Sequence, residues 1–161
     1  MKLRPIDERD MIYVSVLLDT AFGGPEEFQR MKRVRETGAM AMELVAERDD
    51  GTLIGYISFV RHVTPDGWWA LALEAVNRGE RGHGVGSKLV AYGVDAARQA
   101  GAKAVTVVGE PRFYKRFGFS DIAADKVKTP FEHSATLVYP IDDGTGGAEV
   151  TLAYPKSMVA S

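Results

Sequence analysis

The stretch of the sequence with the clearest chemical meaning is rich in glycine and carries positive charge. It contains Gly82, Gly84 and Gly86, with Arg81 and Lys88 beside them. A glycine-rich segment brings several backbone N–H groups close together because no side chains separate them, and a following helix N-terminus adds the positive end of its dipole. The pattern therefore predicts a binding site for a phosphate or pyrophosphate group.

Three phosphate-binding patterns can be compared with this segment. A Walker A loop requires GxxxxGK[ST], and no glycine stands at the required place before Lys88. A dinucleotide-binding GxGxxG fingerprint that begins at Gly84 would need glycine or alanine where Leu89 stands. The pattern [RQ]xxGx[GA] is met by residues 81–86. A tight strand-to-helix turn without a ligand explains the same glycines and stays open at this point.

The residues on either side of the loop predict a strand before it and a helix after it. Residues 68–76 are an apolar and aromatic run that is typical of a strand, and residues 85–100 carry apolar side chains at helical spacing as far as Gly101. A short, buried type of strand follows at 104–108. The sequence thus predicts one strand–helix–strand unit around the loop.

The rest of the chain supplies further strands and helices, with no repeat or linker that divides it. We expect strands at 2–5, 42–48, 53–63, 135–139 and 148–154, and helices at 7–21, 26–37 and 110–117. Asp49, Asp50 and Gly51 predict a hairpin turn between the second and third strands. This order of elements predicts a single domain of mixed α and β structure over residues 1–161.

Composition excludes several classes of site. The 161 residues include no cysteine, which excludes disulfides, zinc–thiolate sites, iron–sulfur clusters and an acyl-cysteine intermediate. The three histidines lack the spacing of a metal site, so we expect no metal. A net charge of −2 gives no general attraction to nucleic acid or to an anionic membrane. No apolar run could cross a bilayer and the N-terminus lacks a secretory signal, so we expect a cytoplasmic protein.

Two separated motifs resemble the GNAT superfamily of N-acetyltransferases. The family's pyrophosphate loop carries [RQ]xxGx[GA] after the fourth strand, as residues 81–86 do here, and the Tyr-Lys-Arg-Phe-Gly-Phe run at 114–119 resembles its Tyr-x-x-x-Gly-Phe element. Residues 107–114 and 153–155 are similar to a bacterial subgroup of acetyltransferases. The strong match spans residues 73–119, about a third of the chain.

The sequence departs from many members of that family at two places. Arg78 stands where many relatives carry proline. Gly109 or Glu110 stands where many carry asparagine. The order of the two motifs and of the elements around them is unaffected by these departures.

The resemblance implies the GNAT fold, a mixed and mostly antiparallel sheet flanked by helices, in which the fourth and fifth strands are parallel and splay apart. It also implies acetyl-CoA as the acetyl donor, with its pantetheine arm along the end of the fourth strand. A backbone N–H near Val76 would polarise the thioester carbonyl and then stabilise the oxyanion. The cofactor-binding residues implied are Ala75, Val76, Arg81, Gly82, His83, Gly84, Val85, Gly86 and Ser87.

The family's chemistry implies direct attack by a primary amine of a small-molecule or peptide acceptor. Glu74, near the end of the fourth strand, is the candidate general base; exposure to solvent or an ion pair with Arg78 or Arg81 is the alternative. His83 could shuttle a proton, or it faces the phosphates or solvent. Tyr114 matches the tyrosine that protonates the departing CoA thiolate, and simple packing among neighbouring aromatic residues is the alternative.

Several further points stay open in the sequence. A basic run in the second helical region borders the acceptor pocket or is a solvated face; it comprises Arg30, Lys32, Arg33 and Arg35. Trp68 and Trp69 line the acceptor site or pack in the core, and at least one should pack because successive strand residues face opposite sides. The chain is an acetyltransferase or, alternatively, a non-catalytic acyl-CoA-binding module. The sequence does not define the acceptor. It also leaves the oligomeric state open, with a homodimer as one of the alternatives.

Overall fold

A computed structural model describes residues 1–159. The strands are β1 (Lys2–Pro5), β2 (Met40–Glu47), β3 (Leu53–Arg61), β4 (Trp68–Val76), β5 (Ala104–Val108) and β6 (Thr136–Pro140). The α-helices are α1 (Met11–Phe22), α2 (Glu26–Glu36), α3 (Val85–Gln99), α4 (Pro111–Lys115) and α5 (Lys156–Val159). As far as residue 140, these elements agree with the predicted ones to within a few residues at their ends.

The six strands form one sheet in the order β1-β2-β3-β4-β5-β6. β4 and β5 run parallel, and every other pair of neighbours in this sheet runs antiparallel. Parallel neighbours need a long crossover connection, which α3 supplies here. The prediction of a mixed, mostly antiparallel sheet with parallel fourth and fifth strands is therefore confirmed.

β4 and β5 separate soon after they meet. Their register runs from Trp68 opposite Ala104 to Leu71 opposite Val107. Residues 72–76 of β4 continue past that point without pairing to β5. The two strands thus open a wedge at their carboxyl ends, on the side of the sheet from which the glycine-rich loop departs.

A β-bulge in β4 coincides with the start of this wedge. Ser58 of β3 lies opposite Leu73, and Phe59, the next residue of β3, lies opposite Leu71. Ala72 is the extra residue between them. Because a bulge bends its strand and increases its twist, the bulge at Ala72 helps to turn β4 away from β5.

The bulge also decides which face of the sheet the later residues of β4 occupy. Residues two apart on a regular strand share a face, yet Leu71 packs in the cluster beneath α3 while Leu73 packs in the cluster beneath α1 and α2. Beyond the bulge, Glu74 lies on the α3 face, next to Gly86. In an unbroken strand, Glu74 would lie on the opposite face, beneath α1 and α2.

Hydrophobic residues fill both faces of the sheet. The helices contribute Val14, Leu18, Met31 and Val34 on the α1 and α2 face, and Leu89, Val90, Val94 and Ala97 on the α3 face. Trp68 and Trp69 are both buried, in different clusters. The expectation that at least one tryptophan packs in the core is therefore confirmed, and neither forms an exposed acceptor wall.

The predicted strand at 148–154 is wrong. This segment forms only isolated bridges, between Thr64 and Ala153 and between Lys128 and Thr151, within the described residues. Its backbone bonds to irregular segments beside the sheet, as in the 2.8 Å hydrogen bond from the Leu152 N–H to the Lys128 carbonyl. The apolar alternation that suggested a strand instead buries Leu152 against the end of the sheet.

We expect Gly93→Ala to destabilise the fold because α3 packs closely against β3 at this point. A Cβ on Gly93 would lie 2.7 Å from Cε1 and Cζ of Phe59, which is fully buried and cannot move aside. Overpacking of this kind costs about 1–3 kcal/mol, against a helix-propensity gain of about 1 kcal/mol for alanine over glycine. Thermal unfolding should show a lower melting temperature. Gly79→Ala is the matched control, because no described residue other than its chain neighbours comes within 4 Å of the new methyl group.

Candidate active site

The loop between β4 and α3 presents backbone N–H groups at an open helix end. Gly82 and Gly84 have φ angles of +85° and +78°, which glycine adopts without strain. Apart from the adjacent residues of the chain, no atom of residues 1–159 lies within 4 Å of a Cβ built on either glycine. Gly84 occupies the N-cap position of α3 and, having no side chain, accepts no hydrogen bond from the first turn of the helix. The N–H groups of Val85, Gly86 and Ser87 therefore have no acceptor within the helix, and they lie at the positive end of its dipole.

The loop is held in place by partners that the sequence does not reveal. Arg48, just after β2, forms an ion pair with Glu80, and the Asn77 N–H donates to the Ile54 carbonyl at 2.8 Å. His83 Nδ1 lies 3.9 Å from Glu80 Oε2, and the His83 side chain is largely exposed. No local sequence pattern could have paired Arg48 with Glu80, because the hairpin and the loop meet only in the folded sheet.

Glu74 lies on β4 with its carboxylate beside the start of α3. A Cβ on Gly86 would be 3.4 Å from Glu74 Oε1. Glu74 Oε2 is buried and has no hydrogen-bond partner in the described part of the chain. Burial raises the pKa of the Glu74 carboxyl from 4.5 to about 7, because the charged form loses hydration. The alternative of an ion pair with Arg78 or Arg81 is not observed among residues 1–159.

The three glycines of the loop differ in conformation and in surroundings. Gly82 and Gly84 provide left-handed backbone, whereas Gly86 lies within the first turn of α3 and against a neighbouring strand. A methyl group at position 86 would lie 3.4 Å from Glu74 Oε1 and 3.6 Å from Cγ2 of Val76. These are ordinary van der Waals distances, so position 86 accepts a methyl group, and a larger side chain would meet Glu74 and Val76.

Tyr114 reaches the same region from the other strand of the wedge. It lies on α4, which begins three residues after β5 with Pro111 in its first turn. Its ring packs edge-on against Phe113 and Phe119, with centroids 5.0 Å and 5.6 Å away. Burial, and then the negative charge of Glu74, raise the pKa of the Tyr114 hydroxyl above its usual value of 10. Tyr114 and Val76 pack against the same hydrophobic cluster, which also contains the buried residues of α3. Tyr114 and Glu74 therefore lie on the same face of the sheet.

The free edge of β4 connects these side chains to the loop. Residues 72–76 pair with β3 on one side, while the edge that faces the wedge has no strand partner in the described sheet. Such an edge can hydrogen-bond an extended ligand through its N–H and C=O groups. Ala75 and Val76 occupy its last two positions, directly before the loop. The site therefore fits an elongated ligand with an anionic group at the loop and its other end beside Glu74 and Tyr114.

Part of the basic run on α2 has structural partners. Arg35 forms an ion pair with Glu43, which is buried and also accepts a 2.6 Å hydrogen bond from the Tyr56 hydroxyl. Arg30 forms an ion pair with Glu27. The first ion pair attaches α2 to the sheet, and the second joins two residues of α2. Arg30 and Arg35 therefore already have carboxylate partners and are not free to attract an acidic acceptor.

Comparison with known proteins identifies the family to which this site belongs. The model of the acetyltransferase (GNAT) family matches residues 11–119, more than half of the chain. The chain belongs to the GNAT family. The matched region of this GNAT protein begins at α1 and ends just after α4, so it contains the loop, the wedge, Glu74 and Tyr114.

Individual relatives of this GNAT protein agree with the family match. The chain is 33% identical over 149 residues to the uncharacterized N-acetyltransferase YhbS of Escherichia coli (strain K12), with 88% of each protein covered. The crystal structure of YhbS from Escherichia coli in complex with CoA matches with a TM-score of 0.89 at 29% identity, over 98% of this chain and 91% of that one. A GNAT acetyltransferase from Brucella melitensis in complex with acetyl-CoA shares the fold, with a TM-score of 0.81 at 24% identity over 97% and 96% of the two chains.

Residues 1–159 of this GNAT protein contain neither a membrane-spanning helix nor a cluster of metal ligands. None of the helices in that range has the length and apolar character needed to span a membrane. No group of three or more metal-ligating His, Asp or Glu side chains comes together in the same range.

The raised pKa of Glu74 predicts a pH-dependent effect of Glu74→Gln on stability. The carboxyl pKa is about 7 in the folded protein and 4.5 when exposed, so the folded protein binds this proton more tightly than the unfolded chain does. The proton therefore stabilises the fold fully below pH 4.5, and the free energy of unfolding of the parent falls as the pH rises through 7. The full change corresponds to about 3 kcal/mol, at about 1.4 kcal/mol for each pH unit. Relative to the parent, Glu74→Gln should therefore gain melting temperature between pH 5 and pH 8.

Thermal unfolding of both proteins at several pH values measures this difference. Glu149→Gln, which changes an exposed carboxylate, is the control and should follow the parent at every pH. Parallel melting curves for the parent and Glu74→Gln across this range would show that Glu74 ionises as an exposed glutamate does.

Proposed function

We propose that this protein transfers the acetyl group of acetyl-CoA to a primary amine by direct attack in a ternary complex. One arrangement supports the proposal: the unpaired end of β4 leads directly to the N-terminus of α3, which has no side-chain cap, with Glu74 beside Gly86 and Tyr114 against the same hydrophobic cluster as Val76. Its length and charge fit a pyrophosphate joined to an extended amide arm. YhbS, crystallised with CoA, and the Brucella melitensis acetyltransferase, crystallised with acetyl-CoA, support the choice of cofactor.

The proposed cofactor position follows from the available hydrogen-bond donors. The pyrophosphate would accept hydrogen bonds from the backbone N–H groups of residues 81–87, with Arg81 adding positive charge. The pantetheine arm would pair with the free edge of β4 between Glu74 and Val76. A backbone N–H near Val76 would then donate to the thioester oxygen and stabilise the negative charge that develops on it.

In the proposed reaction, the amine nitrogen attacks the thioester carbon and forms the new C–N bond. The carbonyl electron pair moves to oxygen and then returns as the C–S bond breaks, which releases CoA. Before the attack, Glu74 accepts one proton from the ammonium form of the amine, directly or through water. After the attack, the positively charged nitrogen of the tetrahedral intermediate releases a second proton to solvent. The Tyr114 hydroxyl donates a proton to the departing sulfur, and a thiolate is a good leaving group because thiols titrate near 8.5.

The electrostatics of Glu74 suit the role of general base. An amine with a pKa near 10.4 is neutral in only about one molecule in 2,500 at pH 7, so a proton acceptor is needed. A carboxyl with a pKa of about 7 is about half ionised at that pH and binds a proton far more strongly than an exposed glutamate does. The burial that destabilises the ionised carboxyl thus makes it a stronger base.

Calorimetry with acetyl-CoA, followed by a screen of primary amines that measures released CoA thiol, tests the proposal. We expect acetyl-CoA to bind and at least one amine to release thiol. Tight binding without turnover across a broad panel would favour a non-catalytic acyl-CoA-binding module. Absence of acetyl-CoA binding would contradict the proposed cofactor site itself.

Gly86→Val should weaken acetyl-CoA binding sharply, whereas Gly86→Ala should have little effect. A single methyl group at position 86 makes ordinary contacts with Glu74 and Val76 at 3.4–3.6 Å. The two further methyl groups of valine would push these residues towards the edge that the pantetheine arm needs. Calorimetry on both variants measures the affinity, and circular dichroism checks that both are folded. Equal affinity for folded Gly86→Val and the parent would place the cofactor elsewhere.

Tyr114→Phe should lower kcat while leaving acetyl-CoA affinity and melting temperature nearly unchanged. The substitution keeps the ring and its packing and removes only the proposed proton donor. General acid catalysis contributes about 10²–10⁴-fold, and the low end is expected for a leaving group as good as a thiolate. Steady-state kinetics with an acceptor from the screen measures the loss. Tyr92→Phe, on the exposed side of α3, is the control; full kcat in Tyr114→Phe would exclude the hydroxyl from the mechanism.

A further inference from the structure

The ring of Tyr114 is enclosed by aromatic neighbours that limit its movement. Phe113 and Phe119 contact it edge-on, with interplanar angles of 85° and 74°. Phe119 is itself buried and packs against Tyr139, with centroids 5.5 Å apart. A displaced Tyr114 ring therefore cannot move towards Phe119 without disturbing the core.

The backbone of Gly109 forms another wall of this enclosure. A Cβ built on Gly109 would lie 3.1 Å from Cδ2 of Tyr114, which is a tight contact, and 2.5 Å from Cε2, which is closer than two carbon atoms can approach. Gly109 is not among the residues with a positive φ angle, so its conformation is open to any amino acid. The Tyr114 ring, and not the backbone, is therefore what excludes a side chain at position 109.

The backbone on both sides of this contact is held by hydrogen bonds. The Gly109 N–H donates to the Ala135 carbonyl at 3.0 Å, which holds the end of β5 beside the start of β6. The start of α4 is held by the Glu110 carboxylate, which accepts from the Arg112 N–H, and by the Glu110 carbonyl, which accepts from the Tyr114 N–H at 3.2 Å. A side chain at position 109 would thus be accommodated by turning the Tyr114 ring.

We propose that Gly109 is a positioning residue whose lack of a side chain fixes the direction of the Tyr114 hydroxyl. The proposal rests on the role of Tyr114 in the proposed function. Rotation of the Tyr114 side chain about its Cα–Cβ bond moves the hydroxyl oxygen further than any other atom, because this oxygen is the atom most distant from Cα. Even the methyl group of alanine should therefore separate the hydroxyl from the departing sulfur, while the backbone of the site stays in place.

A double-mutant cycle between Gly109→Ala and Tyr114→Phe separates positioning from a general structural effect. We expect Gly109→Ala alone to lower kcat by roughly 10-fold or more, towards the value of Tyr114→Phe. Added to Tyr114→Phe, it should cause no further loss, because no hydroxyl remains to be displaced. The affinity for acetyl-CoA should change little in either variant.

Thermal stability provides the contrasting measurement in the same cycle. The clash involves ring carbons that phenylalanine retains, so Gly109→Ala should lower the melting temperature equally in the parent and in the Tyr114→Phe variant. In the positioning role, the effects of the two substitutions on melting temperature add, whereas their effects on kcat do not add. If Gly109→Ala lowers kcat as much in the Tyr114→Phe variant as in the parent, Gly109 acts by another route and the proposal is wrong.

Fluorine NMR tests the placement without any acceptor. The protein contains six tyrosines, and in protein labelled with 3-fluorotyrosine the Tyr114 resonance is the one absent from Tyr114→Phe. We expect this resonance to shift in Gly109→Ala and to stay unchanged in Gly79→Ala. The methyl group added at position 79 has no neighbour within 4 Å in the described part of the chain beyond the adjacent residues. An unmoved Tyr114 resonance in Gly109→Ala would overturn the proposal.

The outcomes distinguish this proposal from the proposed function. If no amine releases thiol, the proposed function fails while the fluorine spectrum still decides whether Gly109 sets the ring position. If turnover is found and Tyr114→Phe keeps full kcat, Tyr114 is not a proton donor and the positioning role falls with it. If Tyr114→Phe loses activity but the resonance does not move, only the assignment of Gly109 is wrong.

Discussion

The register between β4 and β5 limits their pairing to four residue pairs, from Trp68 and Ala104 to Leu71 and Val107. Beyond that point the bulge at Ala72 turns β4 away. The unpaired edge of β4, the position of the loop at its end and the approach of α4 after β5 all depend on this separation. If β4 and β5 stayed paired to their ends, backbone hydrogen bonds of the sheet would occupy the space that a cofactor needs.

The same bulge turns Glu74 onto the α3 face, where its carboxylate is buried and one oxygen has no hydrogen-bond partner among the described residues. Burying a carboxylate in this way lowers the stability of the folded protein at neutral pH and raises the pKa to about 7. Perturbed ionisation of this kind is frequent at functional sites. On the opposite face, the charges of Arg35 and the buried Glu43 are paired, so the environment of Glu74 is a local feature and not a general property of the sheet.

Small residues determine how closely the parts of the site approach one another. Gly93 lets α3 lie against Phe59, and Gly109 admits the ring of Tyr114. Large side chains complete the arrangement, because the rings around Tyr114 hold it from the other sides. The packing alternative for Tyr114 and its proposed catalytic role are therefore compatible, since the same contacts that bury the ring also aim its hydroxyl.

Features that depend on neighbours in the chain could be predicted from the amino-acid sequence. Apolar spacing identified the helices and most strands, and the spacing of Gly82, Gly84 and Gly86 predicted an anion-binding loop, which the structure places at an uncapped helix end. Folding in three dimensions was needed to define the face on which Glu74 lies, the ion pair of Arg48 with Glu80 and the contact of Gly109 with Tyr114. It also showed that alternation at 148–154 reflects packing and not strand pairing. A bulge, a buried charge and a ring against a backbone depend on contacts between separate elements, so no local pattern encodes them.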